Sequence, residues 1–510
     1  MRKWEYICEQ IRKKVNIEDI RQLAGEGIHE YGVYPDSIEV NGDTGFFIAR
    51  DNNRKVLVVF GEHSLYDEFD GADAIIAGSK TKVCELSNRN CSVLRRIFPY
   101  TNPTSHKSAG ITIGLGDRLG VASPGHLRLL KGQNIFPVIA QQSIRELNLT
   151  GRTYEDVLSA ASWAVFQEGY KNGFGADGDH LKSMDEVKMA LDTGFTMITL
   201  DCSEHIDNKA ASFSGHELDK NYLELPLEDR KLLEAKYPGS CFKLKDGTEI
   251  SFDVDSFRRI VLVYLKAIKF AIKIYNEVIK SCGREIDFEM SIDETLTSTL
   301  PEAHFFVASE LIGGGVEMTS LAPRFCGEFQ KGIDYRGDRD RFSQEFALHV
   351  KIAEYFGYKI SVHSGSDKFS VFPIIGQLTN GRYHLKTAGT NWLEALRVIA
   401  GKNPQLFRKL YNFSKENVSE ARKYYHIDAK TENMPSIEAL KDHELPSTLI
   451  IDDCRQILHI TYGLMLQAEN EEGRLIFHDE LYDTLRLHEN EYYTALEKHI
   501  GRHLVELGAF

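Results

Sequence analysis

The chain has 510 residues, 42% hydrophobic and 27% charged, enough to bury a large core and to hold more than one domain. Its formal net charge of −14, with no Lys/Arg-rich run to offset it, disfavours nucleic acid as a partner. The opening RKWEYICEQIRKKV lacks the apolar stretch and cleavage site of a secretory signal. The longest apolar helical stretch, 257–279, carries five Arg or Lys residues, too many for a membrane span. Eight cysteines at 8, 84, 91, 202, 241, 282, 326 and 454 form no C-x-x-C pair and read as reduced packing residues of a cytoplasmic protein.

Residues 1 to about 105 mix a basic amphipathic helix with short strands such as KVLVVF (55–60). This pattern is α+β and carries no chemical motif. From Ile111 a regular alternation begins. The predicted strands are ITIGLG (111–116), IFPVIA (135–140), GFGAD (173–177), TMITLD (196–201), IDFEMSI (286–292), VEMTSL (316–321), KISVH (359–363) and YHLKT (383–387). Helical patterns separate them, with Gly283, Gly313 and Gly357 where helix-ending glycines are expected. Eight strands alternating with helices predict an α/β fold, a (β/α)8 TIM-type barrel over 106–411. A doubly wound open sheet is the alternative, disfavoured by the lack of a Gly-rich nucleotide turn. The connection 204–255 is far longer than an ordinary βα loop and reads as a lid or inserted subdomain. Residues 412–510 are helical and charged, a C-terminal extension.

A barrel gathers its chemistry at the C-terminal ends of its strands. Those ends offer Asp117 and Arg118; Asp177, Asp179 and His180; Asp201, Glu204 and His205; Glu289 and Asp293; Arg324; His363, Asp367 and Lys368; and His384 and Lys386. In 286–293 the apolar Ile286, Phe288, Met290 and Ile292 share one face, so Asp287, Glu289, Ser291 and Asp293 face the interior. A carboxylate inside a barrel is costly unless paired or coordinated, which gives Glu289 a task; Glu294, of opposite parity, reads as structural. The same alternation sends Ser361 and His363 inward, and places His384 with Lys386. Imidazoles and carboxylates on one open rim suit a catalytic divalent ion, with His180, His363 and His384 as candidate ligands. His304 and His349 fall within helical patterns and read as structural. Two other signals fail. GLGDRLG (114–120) is out of register for a dinucleotide fingerprint, and a calcium loop starting at Asp177 would place Lys188 where a carboxylate is required.

Taken together, GLGDRLGVASPGH, GADGDHLKS, SIDET, TSLAPRFCGEFQKG, HSGSDKFSVFPIIG and YHLKTAGTNWLEALRVIA resemble the tagaturonate/fructuronate epimerase family over residues 111–400. The resemblance implies a metal-dependent isomerase whose small-molecule substrates are keto-hexuronates, with Zn, Mn, Ni or Co as the divalent cation. By the same resemblance Asp179 and Glu289 are the proton acceptor and donor, and His180, His363 and Gln330 the metal ligands, with His384 as rival to Gln330. Arg324, Lys368, His384 and Lys386 are implied to meet the substrate. The hydrogen on the changing carbon lies β to the ketone and is not acidified by it, so inversion by retro-aldol opening and re-closure is the expected route. Another metal-dependent barrel enzyme, an aldolase or a ketose–aldose isomerase, is the first alternative, and a non-catalytic sugar-acid binder the second. Neither nucleic acid nor membrane is expected as a partner, and self-association into a homo-oligomer stays open.

Overall fold

The structure, a computed structural model, describes residues 4–26, 31–51, 54–107, 109–293 and 295–510. Glu294 lies outside the described residues. The chain divides into two compact units. One comprises Met1–Thr104, Leu115–Ala176 and Ala388–Arg502, the other Ser105–Gly114, Asp177–Thr387 and His503–Phe510.

Within the first unit, β1 (Glu39–Asn41), β2 (Thr44–Asp51), β3 (Arg54–Phe60), β4 (Gly71–Ile76) and β5 (Ser79–Glu85) form an antiparallel sheet in the order β1-β2-β3-β5-β4. Strand alternation divides its apolar residues between two cores. Phe46, Ile48, Leu57 and Val59 pack with Trp163 and Phe166, while Phe47, Ala49 and Val58 pack with Trp4 and Ile7. The helices from Thr390 onward share a further core around Trp392, Phe407 and Tyr462.

Eight parallel strands close into a barrel, the fold that the alternation predicts. They are β6 (Ile111–Gly114), β7 (Ile135–Gln142), β8 (Gly175–Leu181), β9 (Met197–Asp201), β12 (Asp287–Ile292), β13 (Ser320–Pro323), β14 (Lys359–Val362) and β15 (Tyr383–Lys386). The helices after β7 and β8 start from capping boxes, Ser143/Glu146, Thr153/Asp156 and Ser183/Glu186, in which each side chain satisfies the other's orphan backbone donor. Gly283 and Gly357 end their helices in left-handed geometry as expected. Gly313 does not. It is the last residue of the helix Pro301–Gly313, and Gly315 takes the positive φ instead. That longer exit delays β13, which starts at Ser320, four residues after the predicted 316, once the Thr319 amide reaches the Phe288 carbonyl at 2.8 Å.

The long connection after β9 holds the helices Gly215–Leu223 and Leu227–Lys236 and a hairpin of β10 (Cys241–Lys243) and β11 (Glu249–Ser251). Its aromatic rings dock on the helical layer outside the barrel. Tyr237 packs on Phe306, and Phe242 lies 4.7 Å from Phe305. Among the described residues, all eight cysteines are free and no helix is long and apolar enough to cross a membrane.

Candidate active site

The inner face of β12 carries Asp287, Glu289 and Ser291, as its alternation requires, and Phe288 packs against Tyr275 with ring centroids 5.4 Å apart. Glu289 is fully buried; its carboxylate accepts from His363 Nε2 at 2.6 Å, from the Ser320 hydroxyl and from Thr199 Oγ1 at 3.3 Å. Strand β8 is not regular. Its pairing with β9 shifts between Gly178 and Leu181, and His180 sits in left-handed backbone at φ 55°. In strict alternation Asp179 and His180 would point to opposite faces. The bulge brings both to the same cluster, where Asp179 Oδ1 and His180 Nδ1 lie 2.8 Å apart.

Two of these hydrogen bonds set tautomers. In the neutral form that a metal ligand requires, His180 donates from Nδ1 to Asp179, leaving Nε2 as a lone pair, and His363 donates from Nε2 to Glu289, leaving Nδ1; with no cation bound, the facing carboxylates favour a proton on these second nitrogens. Both lone pairs converge on one carboxylate oxygen. Asp293 Oδ1 is 3.9 Å from His180 Nε2 and 3.2 Å from His363 Nδ1. His363 Nδ1 is buried without a hydrogen-bond partner among the described residues.

The tagaturonate epimerase family matches residues 34–507. A tagaturonate/fructuronate epimerase of Thermotoga maritima is 41% identical over 477 residues, 93% of this chain and 96% of its own. The native crystal structure of a fructuronate-tagaturonate epimerase from Cohnella laeviribosi superposes with a TM-score of 0.91. It is 51% identical, and the match covers 96% of this chain and 99% of that one. A glycerol complex of that epimerase gives the same TM-score at 50% identity. The chain belongs to the tagaturonate epimerase family. It is accordingly an epimerase, of the isomerase class, built on a TIM-type barrel.

In this epimerase one buried ammonium stands among three of the cluster's carboxylates. Lys386 Nζ lies 2.9 Å from Asp177, 2.6 Å from Asp179 and 3.2 Å from Glu289, and also bonds the Thr199 hydroxyl. Burial pushes the Asp177 carboxyl up to about 6, with Lys386 pulling the other way. Burial would likewise raise Asp179 and Glu289, but the Lys386 ammonium and the neighbouring histidines hold both well below the usual carboxylate range. Burial disfavours the His180 and His363 imidazolium forms, and the facing carboxylates more than reverse it, raising both. Asp293 is held low mainly by His363 and His180, against its burial. Three carboxylates, Asp177, Asp179 and Glu289, thus surround the Lys386 ammonium, and Asp293 faces the two imidazoles. Two imidazole lone pairs and a carboxylate oxygen, all within 4.8 Å of one another, are a donor set that fits a divalent transition metal.

The other sequence candidates divide. Lys386 serves the carboxylate cluster. Lys368 is fully buried and donates to the backbone carbonyls of Gln330, Ile333 and Ser366 at 2.9, 2.6 and 2.8 Å, so its ammonium ties two loops together. Three acceptors match its three protons, which is why it does not fit the substrate contact implied from sequence. Gln330, the third ligand implied there, is buried and its backbone carbonyl accepts from Lys368, while Asp293 lies between the two histidines. Arg324 is half-buried and bonds the Thr295 carbonyl. His384 is fully buried on β15, its Nδ1 2.8 Å from Thr112 Oγ1.

Asp117 and Arg118 are structural. Asp117 accepts from the amides of Gly120 and Ala122 at 2.8 and 2.7 Å, and Arg118 pairs with Glu146 at 3.0 Å beneath Tyr462. Asp201 accepts from the Ser203 amide at 2.8 Å and faces Lys182 at 3.3 Å. Glu204 is exposed, His205 stacks on Phe270, and Asp367 lies beside His503. His304 and His349 pair with each other at 2.9 Å, away from the cluster and buried in the helical layer. Sequence reasoning missed Asp293 as the third converging group and Thr199 as a shared hydroxyl. The SIDET string contained the first, but only the bulge in β8 brings His180 to it.

Proposed function

We propose that this epimerase interconverts D-tagaturonate and D-fructuronate, as its relatives' names state for them, and that it does so with a divalent cation held by His180, Asp293 and His363. The observation that carries the metal assignment is the convergence on Asp293 of two imidazole nitrogens, one from buried His363 and one from half-buried His180, each imidazole oriented by its own carboxylate. Zn, Mn, Ni and Co all accept such ligands. A bound divalent ion supplies Lewis-acid polarisation of the substrate's ketone and neighbouring hydroxyl.

The chain's own groups would perform the rest. Asp179 accepts the proton of the hydroxyl on the changing carbon, using the carboxylate oxygen that does not face Lys386 and His180. The adjacent carbon–carbon bond opens, the aldehyde turns, and the bond closes on its other face. The proton taken by Asp179 passes to Glu289 through Lys386, whose ammonium touches both carboxylates, and Glu289 returns it to the new alkoxide, restoring the starting charges; the 2.6 Å contact with Glu289 holds the His363 imidazole in place. Arg324, half-buried, is the proposed partner of the substrate carboxylate, with the bidentate geometry that guanidinium offers. His384 supplies a further polar contact.

The test is to incubate the purified protein with D-tagaturonate and follow products by carbon NMR, before and after chelation, with metal analysis of the protein. The expected result is D-fructuronate formation that chelation abolishes and a divalent ion restores, with metal content lowered in His180→Ala, His363→Ala and Asp293→Ala. Net cleavage into fragments would make the protein an aldolase, and full metal occupancy in all three variants would place the ion elsewhere.

A further inference from the structure

A buried lysine starts a chain of donors that fixes the tautomer of one barrel histidine. Lys359, on β14, is 2% exposed, and its Nζ lies 3.2 Å from His106 Nδ1, 3.2 Å from the Ala109 carbonyl and 3.1 Å from Thr112 Oγ1. An ammonium has three protons and no lone pair, so each of the three is an acceptor. For His106 this puts the ring proton on Nε2, which faces Met197 Sδ at 3.4 Å and Asp287 Oδ2 at 3.5 Å, as that tautomer requires.

Thr112 has one proton of its own to give. Its oxygen is 2.8 Å from His384 Nδ1 and 3.3 Å from the Tyr383 carbonyl. The first is an ordinary O–H donor distance and the second is at the limit, and a hydroxyl polarised by a cation is the stronger donor. Thr112 therefore donates to His384 Nδ1, and the neutral ring carries its proton on Nε2. Burial pushes the His384 pKa down to about 3, so the ring stays neutral through the working range.

That Nε2–H is fully buried and finds no acceptor among the described residues. On the neighbouring strand the register partner of His384 is Ser361, also fully buried, whose Oγ is likewise unpartnered. Two orphan polar groups on neighbouring strands of the inner face are each costly unless something polar meets them. Glu289, Lys386 and His363 lie within electrostatic reach of the same ring.

We propose that His384 donates a hydrogen bond from Nε2 to a substrate oxygen, flanked by Ser361, and that Thr112 and Lys359 are positioning residues that hold it in the donor tautomer. This rests on the epimerase reading for the substrate but not for the tautomer. A neutral imidazole is suited to the task, because it can polarise an oxygen without surrendering a full proton.

The experiment uses ¹⁵N-histidine-labelled full-length protein, with Thr112→Val removing the hydroxyl at nearly constant shape, Thr112→Ser restoring it, and Lys359→Met as a second route. In the wild type His384 should show a lone-pair nitrogen at Nδ1 and an N–H at Nε2, the latter shifting when D-tagaturonate is added. Thr112→Val and Lys359→Met should mix the tautomers and lower kcat about tenfold or more, with KM little changed, and Thr112→Ser should recover both readouts. A purely packing role would lower thermal stability yet leave the tautomer and the kcat of the folded fraction intact, which overturns the proposal. An Nδ1–H signal in the wild type, or an Nε2 resonance unmoved by a substrate that is turned over, also overturns it. Absence of turnover of D-tagaturonate by the wild type would instead reject the substrate assignment, leaving the tautomer to be judged by its own signal.

Discussion

Replacing Lys386 by methionine removes one charge and keeps most of the side-chain volume, so its effect isolates the ammonium. In the folded protein that ammonium lies within 3.2 Å of three buried carboxylates. Breaking a buried ion pair by deleting one partner costs about 3–5 kcal/mol, because the remaining charge is left uncompensated in a poorly solvated site. Here three carboxylates are left, so the upper end of that range is expected. The pH dependence carries a definite sign. Without Lys386 the folded-state pKa values of Asp177, Asp179 and Glu289 all rise. A carboxyl raised in the folded state penalises folding where it is ionised in both states, and the penalty fades as pH falls toward the unfolded value of about 4. Urea unfolding of wild type and Lys386→Met at pH 7.5 and 5.5 should therefore show a large deficit that shrinks at the lower pH. Adding Asp177→Asn should recover part of it, since Asp177 is the carboxyl that burial already pushes up to about 6. A deficit below about 1 kcal/mol, the worth of an exposed pair, or one independent of pH, would refute this electrostatic account.

Three other outcomes are expected. Glu489 is held down to about 2, against its burial, by Lys55 and Arg50. Its stabilising contribution is therefore present above the ordinary glutamate pKa of about 4.3 and is lost as pH falls toward 2; Glu489→Gln should cost about 3 kcal/mol at pH 7 and little at pH 2, read by urea midpoints. Asp179→Asn and Glu289→Gln should each cut turnover by about 10²- to 10⁴-fold. Because each also orients a histidine, metal affinity should fall about 10- to 100-fold, so the assay must be run at saturating metal; recovery of full turnover there would leave orientation as their sole role. Shortening the connection 204–255, read from sequence as a lid or inserted subdomain, should lower turnover while the barrel stays folded; unchanged turnover would make it outer-wall packing alone.

The barrel was legible because its signals are local. Short apolar strands, capping boxes such as Ser183/Glu186 and glycine stops such as Gly357 each act within a few residues. The parity argument on β12 worked for the same reason, since Glu289 and Phe288 must face opposite sides of a regular strand. Parity could not have placed Asp179 and His180 on one face of β8, because a bulge depends on pairing with β9 and leaves no side-chain signature in the sequence. The lysines show a second limit. Lys368 and Lys386 are both buried cations, but one holds backbone carbonyls and the other holds carboxylates, and nothing in the neighbouring residues separates these fates. Rim position likewise could not show that Asp117 and Arg118 brace a loop and a helix. The tautomer chain from Lys359 to His384 runs through Thr112 on β6, 247 and 272 residues away from them, and depends on distances alone.

The central claim, inversion by bond cleavage at a histidine–carboxylate cation site, is tested most directly by turnover of D-tagaturonate in D₂O, followed by carbon and deuterium NMR. The proposed route keeps the hydrogen on the changing carbon throughout, so D-fructuronate should form with no deuterium at that carbon. Deuterium there would show direct deprotonation and contradict the cleavage route, and no epimer at all would contradict the substrate assignment.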